Sequence, residues 1–454
     1  MAAAPEAWSS RLGFIAATVG SAVGLGSIWK FPYEVGANGG SAFVLFYVLG
    51  LALVVVPLMF AEFAIGRRGR GDPATSIAAV AAAHGAGRRW ALAGFLGVGT
   101  GFLILSFYSV IAGWTLAYAV ETALSGLPAA EPQAVQARFD ALLGSPWRIA
   151  AWHAVFMAVS TIIVARGISG GIEKACLVLM PMLGVLLLAL AAYSAATGDL
   201  PATLHFLFKL DLQRLEGEVA LEALGLGFFS IGVGLGLMIT YAAYAGVEID
   251  LRQVALVSVG VDTAISFLAG FAVFPVVFAH GLDPASGAGL VFVTLPLAFA
   301  DMPLGTLAAI AFFLLLFVAA LASSISLLEL GVAMLVRRRG WRRGTASLVA
   351  ATTCFVVGIA SVLSFNLWSA WYPLTWLPGF GHATVFDLLD YLTSNVLLPL
   401  TGLLLALLAG WALPEGLFTE ELRLGPRGGR LLRALLRYIV PPAIAAIALA
   451  ALLG

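Results

Sequence analysis

Residues 42–61, AFVLFYVLGLALVVVPLMFA, run for 20 positions without a charge. A helix needs about 20 mostly apolar residues to cross a bilayer, and a chain built from such runs must satisfy its backbone polar groups inside each helix. Similar runs lie near 12–37, 91–120, 149–165, 175–196, 219–246, 254–280, 304–336, 345–365, 386–412 and 431–453. The reading is an all-α membrane protein with eleven transmembrane helices. Charged residues make up 11% of the chain, against roughly 25% in soluble domains, which excludes an ordinary soluble enzyme. Lys+Arg and Asp+Glu both number 24, so no net charge points to nucleic acid. Two cysteines, Cys176 and Cys354, make neither a disulfide framework nor a metal cluster.

The basic residues orient the chain, because Lys and Arg accumulate on the cytoplasmic side. With the N-terminus in the cytoplasm, 19 of the 24 fall inside, among them Arg67, Arg68, Arg70 and the five arginines of 337–343. Lys30, Arg138, Arg148, Lys209 and Arg214 stay outside. An odd span count then puts the C-terminus in the periplasm. Without an N-x-S/T site, the chain is expected in a bacterial inner membrane. The outer segment 281–303 is apolar enough to fold back on the protein as two short amphipathic pieces, whereas 121–147 and 197–217 read as plain polar connections.

Two runs carry glycine where a helix should be continuous. The first places Gly20, Gly24 and Gly26 in its middle, and the sixth places Gly232, Gly234 and Gly236. Glycine lowers the cost of leaving helical geometry, and irregular backbone at membrane depth is tolerated where it is buried in protein or lines a cavity. Spans one and six correspond if spans 1–5 and 6–10 are inverted repeats. Interrupted helices in corresponding halves point to a binding site at the midplane. The residues divide accordingly into 1–196, 197–412 and a remainder, 413–454, holding the eleventh helix.

The run RLGFIAATVGSAVGLGSIWKFPYEVGANGGSAF resembles the first-helix signature of the neurotransmitter:sodium symporter family. PLMFAEFAIGRR, RGISGGIEKACLVLMP, GFFSIGVGLGLMITYAAY and ALASSIS resemble later segments of the same family. The resemblance covers nearly the whole chain. It implies sodium-driven uptake of a small amine or amino acid by alternating access. It also implies a substrate carboxylate near Leu25 and Gly26 meeting the Tyr108 hydroxyl, and an amino group meeting carbonyls of Ala22, Phe229 and Ser230. Relatives that carry monoamines place an aspartate at the position of Gly24, so this substrate is expected to bring its own carboxylate. Ser21, Val23, Ile104, Gly232, Leu235, Ser324 and Leu327 are expected to line the side-chain pocket under Phe229. None of these is charged, and burying an unpaired charge there would cost several kcal/mol. Leucine-selective relatives carry serine at Gly232 and phenylalanine at Leu235. The smaller residues here favour large aliphatic and aromatic side chains.

Sodium is a hard cation and takes oxygen ligands. By resemblance, a first site uses the Ala22 and Ser230 carbonyls, the side chains of Ser27, Ser230 and Asp262, and the substrate carboxylate. A second uses the carbonyls of Gly20, Val23 and Ala319 with the Ser323 hydroxyl. Ala322 stands where the family has another oxygen, leaving one or two ions per cycle. Asp262 lies inside a membrane span and supplies a fixed negative charge, so chloride is not expected to be required. The resemblance assigns Lys30 and Asp390 to the outer gate, Trp8 and Tyr244 to the inner one, and a structural hydrogen-bonding role to Glu62. The family's inner arginine–aspartate latch is expected to be absent, because Pro5 and Arg337 occupy its positions. A non-transporting amino-acid sensor on the same fold is the alternative. An enzyme is not expected: catalysis needs a nucleophile, a base and stabilising groups converging on one site.

Overall fold

The computed structural model describes residues 6–210, 215–283 and 289–453, and every regular element among them is a helix. Pro5 lies outside the described residues, as do Arg214 and the middle of the 281–303 segment. In chain order, α1 (Arg11–Ala22) and α2 (Gly26–Ala37) form a pair bent by 54°. Four continuous helices follow: α3 (Ser41–Gly69), α4 (Arg88–Ser125), α5 (Pro146–Ala165) and α6 (Ile168–Thr197). The sixth apolar run is divided into α7 (Gly217–Ile231) and α8 (Leu237–Ala243). Then come α9 (Leu251–Ala279), α10 (Gly305–Arg339), α11 (Arg343–Ser364), α12 (Val385–Ala412) and α13 (Pro426–Ala451). Nine of these are long and apolar enough to cross a membrane, or ten with the bent pair taken as one span, among the described residues.

Burial sorts the helices into an interior and a rim. The most apolar window of α10 is 78% buried and that of α4 is 72% buried, against 28% for α6 and 22% for α13. α4 and α10 pack along each other through the middle of the molecule. α6 turns Val178, Val185 and Leu188 outward, which suits lipid and would be an aggregation liability in water. Close approach depends on missing side chains, as membrane helix packing favours. A Cβ on Gly66 of α3 would sit 2.2 Å from the Ile239 carbonyl oxygen of α8.

Two connections differ from the sequence reading. Segments 121–147 and 197–217 are not simply polar: they hold helices Pro132–Leu143 and Leu200–Phe208. Phe139 of the first stacks on Phe292 at 5.4 Å, and Phe206 of the second meets Phe274 and Phe278 edge-on. Phe292 belongs to the apolar segment Leu290–Asp301, which folds back against Trp114, Tyr118 and Phe313. These short helices contribute aromatic side chains to the core, a pairing across distant segments that local polarity does not reveal.

Candidate functional site

The two glycine-rich breaks have different physical causes. In the second, Gly232, Gly234 and Gly236 all take positive φ, at +70°, +96° and +80°. Other residues rarely adopt that region, so the alternation of glycine writes the unwound segment directly. In the first, the glycines are needed for proximity. A Cβ on Gly24 would lie 2.6 Å from Ser323 Oγ and 3.0 Å from the Tyr108 hydroxyl, and one on Gly20 would lie 3.3 Å from the Ala322 Cβ. Glu62 of α3, fully buried, accepts the Gly234 N–H and faces the N–H groups of Met238 and Ile239. It thereby satisfies amides that unwinding leaves without helical partners at the start of α8.

The breaks face each other across a small cavity. Ser21, Gly24 and Gly26 approach from the first break, and Phe229, Ser230, Gly232 and Leu235 from the second. α4 adds Ile104 and Tyr108, and α10 adds Ser323 and Leu327. Tyr108 accepts the Leu25 N–H at 3.1 Å, which ties α4 to the break. Nine of the residues expected at the substrate are therefore brought together here. Ala22, Val23 and Leu25 reach the neighbourhood without lining the cavity. Ser324 is a correction: it is fully buried away from the cavity, and its neighbour Ser323 stands in its place. Successive helical residues point about 100° apart, so a one-residue difference changes the face. Leu237 and Leu398 also line the cavity and were missed. No local pattern marks Leu398. It arrives because α12 packs tightly on the second break, where a Cβ on Gly402 would lie 2.2 Å from the Phe228 ring.

At the edge of the cavity a cluster of oxygens is assembled. Ser27 donates to Asp262 Oδ1 at 2.5 Å, and the Ser27 and Ser230 hydroxyl oxygens are 2.9 Å apart. The Tyr47 hydroxyl donates to Asp262 Oδ2 at 3.3 Å, and Asp262 is fully buried. None of the described ion pairs joins a basic side chain to Asp262. On the other side of α1, the Ser323 hydroxyl donates to the Val23 carbonyl at 3.0 Å and lies 3.4 Å from that of Gly20. Ala319 sits one turn earlier on α10, and the Ala322 methyl faces Gly20. Both groups consist of carbonyl, hydroxyl and carboxylate oxygens, a donor set suited to a hard monovalent cation.

A larger cavity lies beyond Tyr108 and Phe229, and Lys30 and Asp390 both border it. The expected Lys30–Asp390 ion pair is not made. Lys30 Nζ sits 5.0 Å above the Phe229 ring, and Asp390 accepts the Ser394 hydroxyl at 3.0 Å. Open space separates the two charges, and an exposed pair would offset little of the entropy of holding them together.

The opposite, N-terminal end of the cavity is sealed. Trp8 is buried, donates from Nε1 to the Tyr241 carbonyl at 2.8 Å and meets the Tyr241 ring at 5.1 Å. Ser9 and Ser10 both hold Glu173. Ion pairs at positions other than the family's latch are present: Arg343, at the start of α11, bonds Glu329 and pairs with Glu6 at 2.6 Å. Tyr244 donates to Glu329 at 3.0 Å. Arg337 instead lies over the Tyr244 ring. The cation comes from α11 and the anions from α10 and the N-terminal segment, so a position-by-position comparison with the family could not find this arrangement.

Two broken helices enclosing one cavity, with oxygen clusters against it, define a carrier architecture. The model of the sodium:neurotransmitter symporter family matches residues 5–137 and 135–389, and the chain belongs to that family. It is 36% identical over 444 residues to the sodium-dependent transporter YhdH of Bacillus subtilis, covering 97% of this chain and 96% of that one. A sodium-dependent transporter of Haemophilus influenzae is 32% identical, with 90% of each chain covered. The crystal structure of MhsT in complex with L-phenylalanine superposes with a TM-score of 0.89 at 42% identity, over 99% of this chain and 100% of that one. The chain is thus a multi-span membrane protein of a sodium-coupled transporter family.

Gly24 offers a direct test of how tightly the site is built. Gly24→Ala forces its methyl against Ser323 Oγ, and such overpacking costs about 1–3 kcal/mol. Substrate affinity is expected to fall roughly ten- to hundredfold in a scintillation-proximity binding assay. Unchanged affinity would show that this wall gives way freely.

Proposed function

We propose that the chain takes up neutral, mainly hydrophobic L-amino acids, aliphatic and aromatic, driven by sodium and by alternating access. The observation that carries the reading is the position of Ser230, which lines the cavity and also joins the Ser27–Asp262 oxygen cluster. A cation at that cluster and a carboxylate in the cavity would be immediate neighbours, so each would favour the other's binding. The apolar walls formed by Ile104, Leu235, Leu327 and Leu398 support a hydrophobic side chain. The phenylalanine bound to MhsT supports the same substrate class.

The Ser27–Ser230–Asp262 cluster is the first sodium site in this reading, with the Ala22 carbonyl completing it. Gly20, Val23, Ala319 and Ser323 form a second, weaker site, because Ala322 contributes a methyl where an oxygen would help. Chloride is not required, since Asp262 supplies the negative charge. The α7–α8 pair is the eleventh crossing, and residues 1–196 and 197–412 are the inverted halves. The arginine-rich end faces the cytoplasm of a bacterium. In this orientation the Trp8–Tyr244–Glu329–Arg343 group is the closed inner gate, and Tyr108 and Phe229 separate the site from the outer vestibule.

Proteoliposome uptake of a panel of labelled amino acids tests this. Leu, Phe and Trp are expected to accumulate under an inward sodium gradient and not with potassium in its place. Sodium-dependent binding without accumulation would favour the sensor instead. Uptake indifferent to sodium would overturn the ion-site assignment.

A further inference from the structure

The hydroxyls around the central cavity are not equivalent. Tyr108 is bonded to the Leu25 N–H, Ser230 to Ser27, and Ser323 to the Val23 carbonyl. Ser21 is the exception. It lines the same cavity and is 5% exposed, yet its Oγ has no hydrogen-bond partner, not even the carbonyl one turn back to which helical serines commonly bond. A buried hydroxyl without a partner is costly, and such groups in native structures call for a ligand or water to satisfy them. Ser21 lies one helical turn before Gly24 and Leu25, away from the break where the substrate's carboxylate would sit. Apart from the committed hydroxyls of Tyr108, Ser230 and Ser323, the other side chains that line the cavity are apolar, and Gly232 contributes none.

We propose that Ser21 is a specificity residue whose hydroxyl accepts a hydrogen bond from an aromatic N–H on the substrate's side chain, so that the carrier favours an indole over other large hydrophobic groups. The inference rests on the amino-acid transport reading and deepens it. The numbers of donors and acceptors support the choice. An indole has a large apolar surface and one donor, and needs one partner. A carboxamide would bring two donors and an acceptor into a pocket whose other hydroxyls are committed. A phenol offers an acceptor as well as a donor. A phenyl or aliphatic side chain would leave Ser21 unsatisfied.

The test compares L-tryptophan with L-3-benzothienylalanine, in which sulfur replaces the ring N–H at nearly the same shape. Competition for sodium-dependent binding to the purified full-length protein gives the two affinities. Wild type is expected to bind tryptophan roughly five- to thirtyfold more tightly, the range for losing one buried hydrogen bond. Ser21→Ala is expected to bring that ratio to about one, and Ser21→Thr, which keeps the hydroxyl, to preserve it. If the alanine variant does not fold, Ser21→Cys carries the same comparison, because a thiol accepts hydrogen bonds only weakly. Equal affinities in wild type, or a ratio that survives in Ser21→Ala, would overturn the proposal. Wild type that binds leucine and phenylalanine with sodium but shows no preference refutes the role of Ser21 alone. Wild type that binds no amino acid refutes the transport reading beneath it.

Discussion

Asp262→Asn is expected to lower the affinity for sodium by at least about a hundredfold in chloride-free buffer, and chloride is expected to restore part of the loss. The carboxylate is fully buried and is held by hydroxyls from Ser27 and Tyr47, neither of which brings a positive charge. A buried ion without a counter-ion is costly, and a cation bound beside it would remove that cost. Two unit charges about 4 Å apart attract by about 4 kcal/mol at an effective dielectric of 20. That is close to a thousandfold in affinity, so a hundredfold loss leaves room for rearrangement. Asparagine keeps the size of the side chain and removes only the charge. Equilibrium sodium titration, read by binding of a labelled amino acid with gluconate or chloride as the anion, gives the result. An affinity within threefold of wild type would mean that the carboxylate is protonated and merely packs. Wild-type uptake that collapses in gluconate would refute the fixed-charge argument from the other side.

How much of this site can be read from sequence depends on how local its causes are. The apolar runs report themselves, because lipid leaves a helix no alternative. The second break is nearly as legible: three glycines at alternate positions match three positive φ angles. The first break is legible for a reason the sequence conceals, since its glycines permit contact with Ser323 and Tyr108 rather than unusual backbone. The oxygen clusters required the family resemblance, because no spacing rule brings Ser27 to Asp262, 235 residues away. Leu398, the choice of Ser323 over Ser324, and the open Lys30–Asp390 gap depend on how helices meet and rotate. Those quantities are set by packing across the whole bundle.

The inner latch carries the second large effect, and its two halves are expected to behave differently. Glu329 is fully buried, and Arg343 is the cation paired with it there; the side chain of Arg343 is 11% exposed. Removing one partner of a buried pair costs about 3–5 kcal/mol because the other charge is left uncompensated. Glu6 is 38% exposed, and a pair of that kind contributes about 0–1 kcal/mol. Arg343→Gln should therefore destabilise the sealed state far more than Glu6→Gln. The chain contains its own reporter. Cys176 of α6 is buried beside Tyr241, beneath the Trp8 contact, and its sulfur lies 3.3 Å from where a Cβ on Gly20 would sit. In a Cys354→Ser background, Arg343→Gln is expected to speed thiol modification of Cys176 more than about tenfold and to abolish concentrative uptake, since a cost of that size moves a two-state equilibrium by at least a hundredfold. Glu6→Gln should change the labelling rate less than about fivefold. Equal effects of the two substitutions would place the strength of the latch at the exposed pair. No change with Arg343→Gln would mean that Trp8 and the Ser9–Ser10–Glu173 contacts hold the gate shut without it.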